Sequence, residues 1–450
     1  MGNSNKIYRS LIMGSLLSCL IPSMGQAAGF ALIENSASGQ GNAYAGAAAH
    51  VTDASTIFFN PAGMMQLEGD SISIAGHFIL PESSFTNSGS TINPALSPPF
   101  PPDLTGSNDD GGASAFVPNF YWVKSLDDEM KFGLGVQTTF GLATKYDASW
   151  VGKYHAVETD LKTININPSL AYQVNEKFAI GGGIDMVIGD IIFTNALDFG
   201  SICAGLGIGA CSLPQAHDGF ADLEGDNFSD PAFGFNVGLQ YLINTDTVLG
   251  LSYRSEIDLE FSGTADFTVP ASATIGPLGT VVFIDTGIDA SVTLPASLAL
   301  SIAHKVDKIT YLADITWTGW SSFDELRIVF DNPAQADSVT PENWEDSLRY
   351  AIGFDYQYDS KIILRSGLAY DETPIPSPEF RTARIPGNDR TWLSFGMTYT
   401  LDTESSIDVG YSHLFIDDVP IDNADATGAI LSGQYDAAVD ILSVQWNKKF

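Results

Sequence analysis

Apolar and polar residues alternate with a period of two along much of this chain. From residue 348 to 358 one face reads Leu348, Tyr350, Ile352, Phe354, Tyr356 and Tyr358, and the other Arg349, Ala351, Gly353, Asp355 and Gln357. Leu393, Phe395, Met397, Tyr399 and Leu401 oppose Trp392, Ser394, Gly396, Thr398 and Thr400. Between 249 and 261 the pattern places Leu249, Leu251, Tyr253, Ser255, Ile257, Leu259 and Phe261 on one face. Gly250, Ser252, Arg254, Glu256, Asp258 and Glu260 fall on the other. Successive side chains of a strand point to opposite faces, so each run is a strand with one apolar and one polar or small face. Soluble sandwiches alternate too, but their strands are usually about 5–6 residues long. Runs of ten or more with aromatics near the ends point to strands that cross a membrane.

Such runs fall near 70–82, 114–126, 131–143, 160–174, 177–194, 231–243, 247–262, 285–303, 309–331, 346–358, 361–373, 389–401, 405–418 and 435–450. Short gaps alternate with long ones near 83–113, 144–159, 195–230, 263–284, 332–345, 374–388 and 419–434. An even strand count, tight turns at one end and long loops at the other are the pattern of an outer-membrane barrel. Closure pairs every backbone polar group, as lipid demands. The expected fold is all-β, a 14-stranded antiparallel transmembrane β-barrel over 70–450. The chain ends on Phe450, with Trp446, Val444 and Leu442 on the same face. That terminal aromatic is the expected contact for the outer-membrane barrel assembly machinery.

After residue 30 no uncharged apolar run is long enough for a transmembrane helix. Before it, Lys6 and Arg9 precede an apolar stretch from Leu11 to Ile21 and then Gly25-Gln26-Ala27. This reads as an export signal over 1–27, cleaved after Ala27. Leu16-Leu17-Ser18-Cys19 offers a rival lipoprotein reading. The chain carries 54 acids and 20 bases, a net charge of −34. Removing Lys6 and Arg9 with the signal leaves 18 bases against 54 acids, or −36. Such a surface repels nucleic acid. The acids are expected in solvated loops, in a protein surrounded by outer-membrane lipid and lipopolysaccharide.

Residues 28–69 fit no strand. Gly41–Ala49 is small and compatible with a helix, Asp53 is placed to cap a short helix through Phe59, and Pro61 suits the start of another. The apolar content (Phe30, Leu32, Ile33, Ile57, Phe58, Phe59, Met64, Met65, Leu67) argues for a mainly helical hatch inside the lumen rather than a solvated tail. A barrel of this width stays open unless something fills it. Two long loops are also apolar. One carries Ile202, Leu206, Ile208 and Leu213; the other carries Val269, Ile275, Leu278, Val282 and Phe283. Apolar loop tips of this kind mark a binding surface, or two loops that pack on each other as a lid. Cys203 and Cys211 lie in the first loop, and a disulfide is the expected reading in an exported chain.

The segments Ala28-Gly29-Phe30-Ala31-Leu32-Ile33-Glu34, Ser38 to Gly46, Asp53-Ala54-Ser55 and Asn60-Pro61-Ala62 resemble the start of the FadL family of outer-membrane transporters. The likeness continues through Phe140-Gly141-Leu142-Ala143-Thr144, Tyr253-Arg254-Ser255, Trp317-Thr318-Gly319-Trp320, Asp371-Glu372-Thr373-Pro374 and Arg384 to Trp392. The resemblance implies a fourteen-stranded barrel in the bacterial outer membrane with an N-terminal hatch. It implies passive uptake of long-chain fatty acids, or of aromatic or alkane hydrocarbons as in TodX-type relatives. It further implies capture in a groove between the two apolar loops and gating by the extreme N-terminus (Ala28, Gly29, Phe30) with the hatch motif Asn60-Pro61-Ala62. Exit is implied through a kinked third strand, for which Gly135, Phe140 and Gly141 are the candidates.

A fatty acid's carboxylate needs a cation or several N–H donors if it is buried. The fifth strand has Asp185 and Asp190 and no base after Lys177, and 331–346 has none. Arg327 is therefore the first candidate for the head group, with Lys145 second. Inward Arg254, Arg349, Arg365 and Arg390 are expected to pair with Glu256, Asp258, Asp355, Asp371 and Asp389, holding hatch and wall together. No Gly-x-Ser-x-Gly elbow occurs, and the six His form no close pair. The chain therefore reads as no enzyme, with no metal and no cofactor. A structural or adhesive barrel is the remaining alternative.

Overall fold

The computed structural model describes residues 29–97, 99–274 and 278–450; the export signal, Ala28 and Ile275 lie outside them. Fourteen strands close into one antiparallel barrel. They are β1 (Ser71–Asn87), β2 (Ala115–Ser125), β3 (Met130–Gln137, then Gly141–Lys145), β4 (Glu158–Asn175) and β5 (Phe178–Asp198). Next come β6 (Asp218–Asp226, then Ala232–Asn244), β7 (Thr247–Arg254, then Ile257–Thr268), β8 (Thr286–Leu294, then Ser297–Val306) and β9 (Ile309–Thr318, then Glu325–Phe330). The last five are β10 (Ser338–Pro341, then Ser347–Gln357), β11 (Ile362–Asp371), β12 (Arg390–Thr400), β13 (Ser405–Ile416, then Val419–Ala424) and β14 (Ile430–Lys449). The ring closes where β1 pairs with β14, from Ser71 opposite Lys449 to Asn87 opposite Gly433.

The outward side chains of the lower barrel form a belt of exposed apolar residues, among them Phe78, Leu170, Phe235, Leu300, Ile352 and Phe395. Tyr350 and Tyr370 stand at one edge of this belt and Tyr172, Tyr241 and Tyr358 at the other. This is the lipid-facing band flanked by aromatic girdles. The alternation of 348–358 and 393–401 is thus outward-apolar.

Above the belt the barrel continues and its faces invert. In β7, Leu251 is exposed, yet beyond the break at Ser255 it is Glu256, Asp258 and Glu260 that are exposed while Ile257, Leu259 and Phe261 are buried. The single apolar face expected over 249–261 is therefore two faces. The two residues between the halves of β7 leave the ladder, and the side-chain parity swaps. Strands β8 and β9 break at the same level. Their upper inward residues, Ile288, Val292, Leu294, Leu326 and Ile328, join those of β7 in one apolar cluster. Outside the hydrocarbon, water meets the outer wall, so the acids face out and the apolar residues face the lumen. Segments expected as loops, 218–226, 338–341 and 419–424, are wall strands of this upper barrel.

Candidate functional site

Residues 29–67 run inside the barrel and are mostly buried. Only three short pieces are helical: single α-turns at Ala37–Gln40 and Thr56–Phe59, and a 3-10 helix at Pro61–Gln66. The stretch around Gly41–Ala49, expected as helix, turns instead through left-handed Ala43 (φ 54°) and Tyr44 (φ 57°). Close contact with the wall overrides local propensity here. A Cβ on wall residue Gly238 would lie 1.9 Å from Asn60 Oδ1, and one on Gly367 2.1 Å from the Asn42 carbonyl. Glycines in the strands thus form the seat for this segment.

Polar ties hold it there. Asn60 Nδ2 donates to the Ala48 carbonyl (2.7 Å) and to the Leu239 carbonyl on β6 (2.9 Å), while its Oδ1 accepts from Ala62 N (3.1 Å). Pro61 starts the 3-10 helix. Asn42 and His50 both bond Asp355 on β10 at 3.0 Å. The inward arginines are paired, with Asp355 and Asp371 from the expected set and with Asp185, Asp314 and Asp408 from outside it. Arg254 pairs with Asp185, Arg365 with Asp355 and Asp408, Arg390 with Asp371, and Arg349 approaches Asp314. Arg349 also donates to the Ala43 carbonyl at 2.7 Å, and Arg254 to that of Phe58 at 3.1 Å. Glu256 and Asp258 face outward instead, and Asp389 accepts from Tyr370 and from the backbone of Thr373.

The barrel wall is incomplete beside this segment. Strands β2 and β3 pair from Ser125 opposite Lys131 up to Phe120 opposite Val136. The next contact in the same register is an isolated bridge between Gly112 and Thr144. Between these points 113–119 and 137–143 share no ladder. On the other side of β3, residues 138–140 separate two blocks paired with β4, against only Thr163 and Ile164 opposite. The extra residue is a bulge that bends β3 away from β2. The break lies at Thr138-Thr139-Phe140. Gly135 sits just below it within the ladder, and Gly141 resumes pairing above it.

The N-terminal chain docks onto the break. Leu32 N donates to Thr139 O (2.8 Å), and Gly141 N donates to Phe30 O (2.9 Å). Asn119 Nδ2 on β2 donates to Glu34 O (2.8 Å). The Phe30 ring is enclosed by Trp320 (4.9 Å between centroids), Phe323 (5.3 Å), Phe140 (5.9 Å) and Trp344 (5.9 Å). Next to it is a cavity of about 160 Å³, whose lining includes Ala31, Phe58, Phe140, Trp320, Arg349 and Trp392. Above Phe30 the same apolar cluster extends through Leu142, Leu161 and Phe193 into the upper barrel.

The two apolar loops meet each other. A helix at Phe199–Leu206, capped by Asp198, is tied by the Cys203–Cys211 disulfide (Cα–Cα 5.7 Å). Closing so short a loop stabilises it by about 2.5 kcal/mol on the chain-entropy model. Cys203, Cys211, Ala273 and Leu278 are buried in one cluster, with Ile202, Ile208, Val269 and Phe283 packed on it. Val282 is half-buried, while Leu206, Leu213, Val281 and Ile284 remain exposed around the cluster.

Arg327 is placed elsewhere than expected. It is 43% exposed on the outer face of β9, beside inward Leu326 and Ile328, and it pairs with Glu325 (2.8 Å) and Asp337 (2.9 Å). Lys145 is likewise exposed and paired with Glu158. Neither cation reaches the cavity. Among the inward cations that sequence reading passed over is Arg384, whose loop carries no periodicity to show where its side chain points.

The sequence from 18 to 450 matches the family described as outer membrane protein transport protein (OMPP1/FadL/TodX). It is 31% identical over 419 residues to a long-chain fatty acid transport protein of Escherichia coli O6:H1, covering 88% of each chain. A FadL homologue from Pseudomonas aeruginosa superposes with a TM-score of 0.85 at 24% identity, covering 95% of this chain and all of that one. The Pseudomonas putida toluene transporter TodX shares the fold with a TM-score of 0.67 at 19% identity, over 89% of this chain and 95% of its own.

Proposed function

The chain belongs to the OMPP1/FadL/TodX family of outer-membrane transport proteins, and from that membership we propose a route by which it carries its hydrophobic substrate inward. The protein is an outer-membrane β-barrel transporter of hydrophobic molecules. The substrates of this reading are long-chain fatty acids or molecules like them, a choice supported by the likeness to a relative named as a long-chain fatty acid transport protein. Capture occurs at the exposed apolar rim of the two packed loops, around Leu206, Leu213, Val281 and Ile284. The apolar lumen of the upper barrel receives the molecule and conducts it to Phe30. The hatch, residues 28–69, then moves at its N-terminus, and the molecule leaves sideways between β2 and β3.

One observation carries this reading: the unpaired stretch of wall at 113–119 and 137–143 is occupied by the N-terminal chain itself. Such a site opens without breaking any strand-to-strand ladder. A second reading, neutral hydrocarbons by the same route, draws on the cavity beside Phe30. There Arg254 and Arg349 already have carboxylate partners, so a carboxylate would compete for them.

Purified protein reconstituted into vesicles provides the test. Entry of labelled oleate and of a labelled hydrocarbon is compared with entry into protein-free vesicles. Faster entry of either supports the route, and its preference selects the substrate. No acceleration of either overturns the route and leaves a structural or adhesive barrel.

A further inference from the structure

Strand pairing sets the outward side chains of the lipid-facing belt in rows. One row runs Ile302, Ala313, Ile352 and Leu368 across β8 to β11, and the next runs Leu300, Ile315, Tyr350 and Tyr370. Ala313 is the one small side chain in these two rows. Where it stops short, the wall is bare down to the strand backbone at Asp314 and Ala351, and a groove of about 750 Å³ opens on the outer surface of the barrel. That volume is in the range of small-molecule sites. The groove lies at the edge of the belt marked by Tyr350 and Tyr370, on the side of the long loops. Those loops face the cell exterior in an outer-membrane barrel, so the groove opens into the outer leaflet.

The row above is Leu298, Trp317 and Leu348. The Trp317 indole N–H donates to Asp346 Oδ2 (3.1 Å), and the Tyr370 hydroxyl donates to Asp389 Oδ2 (2.6 Å). These rings stand at the membrane interface with their polar edges turned to water. A head group above the groove therefore meets carboxylates. Among the described residues of β8 to β11, Arg327 is the one outward base above it, and it is already held by Glu325 and Asp337. Carboxylate and phosphate repel each other, and they share a site when a hard divalent cation lies between them.

The groove is continuous with the band that meets lipid and lies on its exterior side, where the membrane lipid is lipopolysaccharide. We propose that it docks lipid A, with an acyl chain laid over Ala313 and a phosphate above Tyr350 and Tyr370, bridged by Mg²⁺ or Ca²⁺ to Asp346 and Asp389. The missing side-chain volume at Ala313 selects the chain, and the carboxylates above it make the contact depend on the cation.

The test titrates delipidated full-length protein in a maltoside detergent with lipid A and with phosphatidylglycerol, in Mg²⁺ and in EDTA, and reads the bound lipid by native mass spectrometry. The wild type should bind lipid A in Mg²⁺, prefer it to phosphatidylglycerol, and release it in EDTA. Ala313→Phe fills the groove and should weaken lipid A about tenfold, the loss of roughly two buried methylenes. Val409→Phe places the same ring on the belt at β13, away from the groove, and should bind as the wild type does. Both variants should keep the folded barrel's mobility on gels. Equal binding of the two lipids by the wild type overturns the proposal, as does an equal affinity for lipid A in the two variants. Binding that survives EDTA overturns the cation bridge. A dimer that Ala313→Phe splits would give the groove to a second copy of the chain instead. Entry of a hydrophobic substrate into vesicles is a separate readout, so failure here leaves the transport reading standing.

Discussion

The backbone N–H of Gly141 donates to the carbonyl of Phe30 at 2.9 Å, so the third strand is paired with the N-terminal chain where it has left its neighbour. Gly29, one residue before, has φ +63°, and a Cβ there would lie 2.6 Å from both Trp320 and Trp344. Gly29→Val therefore cannot dock without moving two rings. We expect amide exchange at Leu32 and Gly141 to quicken at least tenfold, with the rest of the barrel unchanged. Protection at wild-type level would show that the aromatic enclosure yields.

Asn60 supplies both a donor and an acceptor at the seat of the segment inside the barrel. Asn60→Ala leaves the Ala48 carbonyl and the Ala62 N–H without that partner, at a cost of about 1–3 kcal/mol. Proteolysis within 29–67 should accelerate several-fold or more, while the folded barrel keeps its heat-modifiable mobility on gels. Loss of that mobility would mean that hatch and wall unfold as one unit.

Asn119 and Gln137 continue the register of Phe120 and Val136 at the lower edge of the wall break. Cysteines at both positions, in a chain with Cys203 and Cys211 replaced by Ser, should form a bond that closes this edge. Vesicle entry of a hydrophobic substrate should fall on oxidation and recover on reduction. Entry indifferent to the crosslink would exclude the sideways exit.

Glu34 is 2% exposed, and burial pushes its carboxyl up to about 7, with Arg390 and Arg349 opposing the rise and Asp371 adding to it. The docked segment therefore prefers the protonated acid. Released, the group titrates near 4.5. The protonation contribution to docking is complete below about pH 4.5, declines as pH rises toward about 7 and is gone above it, an amplitude of about 3 kcal/mol. A fluorescent probe on the hatch should report more release at pH 8 than at pH 4.5. Glu34→Gln should flatten that profile; an unchanged profile would assign it to another group.

Much of this protein is written locally. Alternation at 348–358 and 393–401 identifies strands and their lipid face, because the period-two geometry of a strand needs no partner to be read. The number of such runs and the alternation of turn lengths determine a fourteen-strand barrel. The apolar, glycine-rich run before the first strand determines that something must be buried inside it, and two nearby cysteines suffice for a loop disulfide.

What lies across the barrel is not written locally. The face inversion at Ser255 follows from a break in the ladder and from where the membrane ends, and neither is a property of residues 249–261 alone. Arg254 finds Asp185 rather than Glu256 because ion pairs form on the lumen side between side chains at one height, here on β7 and β5 across the intervening β6, whatever their separation along the chain. Arg327 points outward and Arg384 inward for the same kind of reason: one sits on a strand above the inversion, the other on a loop that the wall draws into the lumen. Sequence determines which residues alternate and how many strands they make. Only closure of the barrel, which brings distant strands to a common height and forces each side chain to meet water, lipid or the buried N-terminal segment, decides which of them line the lumen.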